Sequence, residues 1–191
     1  MQKYTGDPAP LGLFGFGMTT VLLNLHNAGH LQMSSIIIGC GIFVGGIAQV
    51  IAGYQEWTKG NTFGATAFTA FGMFWLTFVA ILVVPQTTFG ASFKTDAESL
   101  GVFLFLWGLF TLYMFVATIK LNKMLQVVFL SLTVLFFLLG MNEFIESKML
   151  GKFAGYEGLF CGLSAIYGSA AIVLKGVYGK AILPLGERKA D

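Results

Sequence analysis

Charge is scarce in this chain. One residue in ten is acidic or basic, whereas a soluble domain carries roughly a quarter. A water-facing fold of 191 residues is thereby excluded, and over half of the residues are hydrophobic. The eleven lysines and arginines are scattered and form no basic stripe, so no nucleic-acid partner is expected. Cysteine is nearly absent, and Cys40 and Cys161 both fall in apolar runs. A disulfide framework or a metal centre needs more ligands at tighter spacing, which leaves two small buried residues. Neither a metal nor a cofactor is expected. Lysine, arginine, aspartate and glutamate are missing from the middle of every apolar run. A proton pump or cation-coupled carrier usually places carboxylates there. Enzyme signatures are missing too: no nucleophile elbow, no paired Cys/His spacing, no phosphate-cradling loop followed by lysine. No enzyme is expected, and no cleavable leader, because the first apolar run is too long for one.

What the chain does have is apolar runs of membrane-crossing length. A helix needs roughly 20 residues to cross a hydrocarbon core of about 30 Å. Six such runs lie at about 11–26, 33–54, 63–84, 100–119, 124–141 and 159–177, with charges or turn residues between each pair. The fold predicted is all-α: one polytopic domain over 1–191 with six transmembrane helices per subunit. Glu56 and Lys59 fall between the second and third runs. Glu143, Glu146, Lys148, Lys152 and Glu157 fill the last and longest interval. Cytoplasmic segments carry the excess of lysine and arginine. Lys3, Lys59, Lys120, Lys123, Lys175, Lys180, Arg188 and Lys189 share one side, against Lys94, Lys148 and Lys152 on the other. Both termini are therefore expected in the cytoplasm.

The chain is organised around residues 7–29, where Pro10 suits the first turn of a helix. This run carries Thr19, Thr20, Asn24, His26 and Asn27, more polar groups than an anchor requires. Phe16, Thr20 and Asn24 recur every fourth residue and share a face, an aromatic constriction with polar groups above it. Thr62, Thr66 and Thr69 form a similar stripe toward Phe71, and Gln49 lies in the second run. Hydroxyls and amides of this kind suit a route for a polar solute. The competing account is a threonine bonded to its own helix carbonyl, and an Asn24 or Gln49 that ties helices together. Phe16-Gly17-Met18 is echoed by Phe71-Gly72-Met73, a hint of the internal repeats common in transporters. Glycines such as Gly41 and Gly45 let helix backbones approach closely in lipid.

The motif DPAPLGLFGFGMTT at 7–20 resembles the N-terminal signature of the acetate uptake transporter family, the acetate/succinate permeases of bacteria, archaea and fungi. The likeness continues through GIFVGGIAQVIAGYQEWTKGNTFGATAFTAFGMFW at 41–75 and LQVVFLSLTVLFFLL at 125–139, and ends in CGLSAIYGSA near the sixth run. The resemblance implies a permease or channel for small monocarboxylates, chiefly acetate, with succinate in some members. It implies a homo-hexamer in the plasma (inner) membrane, each subunit with its own pore. A hydrophobic constriction of Phe16, Phe71 and Leu132 is implied, with Phe71 standing where close bacterial members carry tyrosine. Ala165 matches a position tied to substrate choice. Thr19, Thr20, Asn24, Gln49, Thr66 and Thr69 are the substrate-binding candidates read from the residues themselves. The rival reading is a passive channel for another small polar solute, such as formate, urea or a short amide.

Overall fold

The computed structural model describes residues 6–187. Among them six helices are long and apolar enough to cross a membrane: α1 (Ala9–Asn27), α2 (Ser35–Thr58), α3 (Thr62–Val83), α4 (Ala97–Thr118), α5 (Lys123–Ile145) and α6 (Lys148–Tyr178). A 3-10 turn, Val84–Gln86, extends α3 around Pro85. The all-helical, six-span architecture predicted from the sequence is the one observed.

Helix starts follow side-chain chemistry. Asn61, Asp96, Asn122 and Ser147 each accept the N–H three residues ahead, opening α3, α4, α5 and α6. At α4 the backbone N–H and hydroxyl of Ser99 hold the Asp96 carboxyl below its usual range. In α1 the first helical N–H, that of Ala9, is taken by Asp7 Oδ1 at 3.1 Å, one residue before the Pro8 cap.

The helices differ from the predicted spans mainly at the last interval. Instead of a long loop over 143–157, α5 runs on to Ile145 and α6 starts at Lys148. Glu146, in the left-handed conformation, and the Ser147 cap make the whole turn. The charges there mark helix that continues past the hydrocarbon, not a break in helix. Glu56 and Glu157, expected between spans, thus lie within α2 and α6.

α1 packs against α6 and α2, α3 against α2, and α5 against both α4 and α6. Two crossings are set by glycine. A Cβ on Gly17 would lie 2.6 Å from the Gly162 carbonyl oxygen, and one on Gly162 would lie 2.8 Å from that of Gly17. At the second crossing a Cβ on Gly72 would stand 2.8 Å from the Gly46 oxygen. Bare backbone on both sides permits contacts of this kind, which supply van der Waals attraction where lipid supplies no hydrophobic drive. Within α2 the segment Gly41–Ala48 is a π-helix, a wider turn that shifts the face presented by everything after it.

Candidate functional site

The ends of α1, α2, α3 and α5 that carry Ala9, Thr58, Thr62 and Lys123 surround a cavity of about 90 Å³. Ala9, Asn61 and Asn122 stand at its helix-end side, and Phe16, Gln49, Phe71 and Leu132 line it farther in. Phe71 and Leu132 are each nine residues into their helices, and Gln49 is nine from the end of α2. At 1.5 Å per residue they reach a common depth of roughly 14 Å. Phe16, seven residues into α1, joins them. Phe16, Phe71 and Leu132, which the family resemblance implies as a constriction, thus all line this one cavity.

Phe71 is the hub of this level. Its ring centroid lies 5.8 Å from that of Phe16, 5.4 Å from Phe110, 5.8 Å from Trp107 and 6.1 Å from Phe129. Aromatic pairs at such spacings and tilts are attractive beyond simple burial. The ring is packed among these four aromatics, it lines the cavity, and only 3% of Phe71 is exposed.

Polar groups meet the apolar wall at two points. Gln49 is fully buried, its Nε2 donating to the Gly45 carbonyl at 2.7 Å, while its Oε1 has no partner. Glu56, two turns on and also fully buried, takes Asn61 Nδ2 on Oε2 at 2.8 Å and leaves Oε1 without a partner. Lys59 Nζ stands 3.9 Å from Glu56 Oε2 and 3.0 Å from Asp7 Oδ1.

The other candidates lie elsewhere. Asn24 is packed against Gly158 of α6, donates to the Thr20 carbonyl at 2.9 Å, and accepts from Asn27. The Thr20 hydroxyl is buried without a partner. Thr19 turns to α2, its hydroxyl shared between the carbonyls of Gly15 and Cys40. Ala165 is completely buried in the core beside the Gly17–Gly162 crossing and is not among the residues that line the cavity. Thr66 is exposed, and Thr69 lies against Gly53 of α2. The threonine stripe of α3 therefore does not reach the cavity. His30 Nε2 pairs with the Tyr156 hydroxyl at 3.1 Å on the opposite face of the bundle. That face also holds an open pocket bordered by Asn27, Asn142, Glu143, Glu146 and Lys152.

Sequence reasoning missed Glu56, Asn61, Asn122 and Phe129 as lining residues. The signal was present for Glu56: it follows Gln49 by seven, which puts both on one helix face.

The GPR1/FUN34/yaaH family model matches residues 1–180. The chain belongs to the GPR1/FUN34/yaaH family. Among members of this family, the succinate-acetate/proton symporter SatP of Escherichia coli (strain K12) is 54% identical over 181 residues, 95% of each chain. Acetate permease A of Emericella nidulans is 34% identical over 94% of this chain and 65% of that protein. The solved structure of the bacterial acetate channel SatP superposes with a TM-score of 0.92 at 53% identity, covering 95% of this chain and 99% of that one. This GPR1/FUN34/yaaH chain thus shares its helix arrangement as well as its motifs with a channel, and the relatives named are transporters, not enzymes.

Proposed function

We propose that this chain is a membrane permease or channel for small carboxylates, chiefly acetate and also succinate. Each subunit carries its own pore, narrowed by Phe16, Phe71 and Leu132. The observation that carries the reading is the meeting of those three apolar side chains with the buried Gln49 amide at one depth of one cavity. Acetate is a methyl group on a carboxyl. An apolar ring passes the first, and groups with spare hydrogen-bonding capacity hold the second, without which burial in a dry ring is very costly. Thr20, whose buried hydroxyl has no partner, continues the polar provision along α1 beyond Phe16, Asn24 serves the packing of α1 on α6, and Ala165 tunes the aperture from beside the Gly17–Gly162 crossing. Thr66 and Thr69 are left out of the path. The working form is a homo-hexamer in the plasma (inner) membrane with both termini in the cytoplasm. Membership of the family and the acetate named for its characterised relatives support the substrate class.

A flux panel on purified protein in liposomes tests the proposal. Acetate is expected to exceed formate, urea and short amides in saturable flux. Urea or formate moving faster than acetate, with acetate at the level of protein-free vesicles, would replace the proposal with a channel for other small solutes. Mass measurement in mild detergent is expected to give about six subunits per particle, the assembly carried over from the family.

A further inference from the structure

We propose that a groove between α5, α6 and the segment after α6 binds an anionic phospholipid. The phosphate sits on Lys123 and an acyl chain lies along Val127, Phe160 and Leu163.

Beyond α6 the chain turns at Gly179 and runs back to the start of α5, where Glu187 bridges to Asn122. The backbone N–H groups of Lys123 and Met124 donate to the carbonyls of Gly186 and Leu185, each at 3.1 Å. The Tyr167 hydroxyl donates to the Pro184 carbonyl at 2.9 Å. The strap held in this way forms one rim of an open groove of about 540 Å³. Away from the strap the lining is apolar, with Val127 of α5 facing Phe160 and Leu163 of α6, all three exposed. Phe160 is seven residues from Tyr167, so the apolar lining extends roughly 10 Å from the strap toward the middle of α6.

Lys123 is the one charged residue in that lining. Its stem lies against the strap: a Cβ on Gly186 would stand 2.7 Å from Lys123 Cβ and 3.0 Å from its Cγ. An ordinary interfacial lysine swings out to water, whereas this one is laid along the rim. Among the described residues no acid is left to pair with it. Those at this end of the bundle are Asp7, Glu56 and Glu187. Lys59 engages the first two and Lys175 the third. Asp96, Glu98, Glu143 and Glu146 belong to the opposite helix ends. A second copy of this chain seated in the groove would bring the same engaged acids and leave Lys123 unmatched. A phospholipid supplies both missing parts, an acyl chain for the apolar lining and an anion for the rim. Basic pockets beside membrane helices take anionic headgroups in this manner. Met124, the next residue, lines both this groove and the cavity, so the lipid lies one side chain from the proposed path.

The test puts p-benzoylphenylalanine in place of Phe160, which sets a photoreactive group inside the groove. The protein is irradiated in vesicles of phosphatidylglycerol and phosphatidylcholine, equal in amount and matched in acyl chains, and intact mass reads what was captured. Phosphatidylglycerol adducts are expected to outnumber phosphatidylcholine adducts about fivefold, the worth of one lysine beside an anionic headgroup. Lys123→Gln in the same background is expected to bring the two to parity. Parity with Lys123 in place overturns the proposal, as does a preference that persists in an assembled Lys123→Gln. Capture of a second subunit in place of lipid also overturns it and makes the groove an interface between copies. Should Lys123→Gln fail to assemble, the adduct ratio with Lys123 in place decides.

Discussion

The rings of Phe16 and Phe71 stand 5.8 Å apart, centre to centre, and tilted by 50°. Each opens a Phe-Gly-Met triplet, and each triplet works the same way. The phenylalanine turns to the cavity while the glycine after it lies against the backbone of a neighbouring helix, Gly17 on Gly162 and Gly72 on Gly46. The aromatic side chain is thereby placed by a crossing one residue away. Its position follows from backbone packing and not from a loose rotamer.

That coupling makes Gly17 a test of the arrangement. Gly17→Ala drives a methyl group toward the Gly162 oxygen, which can move only if α1 and α6 separate. Overpacking of this sort costs about 1–3 kcal/mol, so the thermal midpoint of the purified protein is expected to fall and acetate uptake per particle to fall with it. An unchanged midpoint would mean that the crossing has slack.

Much of this architecture is legible in the residues. Apolar length and the caps at Asn61, Asp96 and Asn122 mark the helices without reference to neighbours, because both are local properties. The start of α6 is not legible, since Lys148, Lys152 and Glu157 look like loop to any reading that equates charge with the end of a span. Helices tolerate charges freely once they leave the hydrocarbon. At the site, Phe16 and Gln49 can be read from their own helices. The exclusion of Thr66 and Thr69 cannot, because it depends on which face of α3 meets Gly53 of α2. The π-helix at Gly41–Ala48 adds to this, since it changes the phase of α2 just before Gln49 and Glu56.

Phe71→Tyr adds a hydroxyl at the hub of the aromatic level. If the ring keeps its place among Trp107, Phe110 and Phe129, the hydroxyl offers a donor to a passing carboxyl. Acetate flux is then expected to rise with no gain for lactate or succinate. A lowered thermal midpoint with unchanged flux would instead mean a hydroxyl buried without a partner, which costs about 1–3 kcal/mol.

Orientation is checked by chemistry at the surface. Phe89, 83% exposed in the α3–α4 connection, and Lys180, exposed beyond α6, lie on opposite sides if both termini are cytoplasmic. Single cysteines at these positions, in a background with Cys40 and Cys161 replaced, are expected to label from opposite sides with an impermeant maleimide. Labelling of both from one side contradicts the lysine-based assignment.

Leu132 tests the central claim most directly, because it lines the cavity at the depth of Phe16 and Phe71 yet belongs to a different helix. Leu132→Ala removes three carbons from the apolar wall. If these side chains set the aperture, lactate and succinate gain more than acetate does. Discrimination of this size is worth about 1–3 kcal/mol in a pocket, so the preference shifts by tens-fold at most. The measurement is uptake of acetate, lactate and succinate per assembled particle, for the variant and the unaltered protein side by side. A rise in the ratio of the larger acids to acetate is the expected result, and an unchanged ratio in a well-assembled variant would contradict the account.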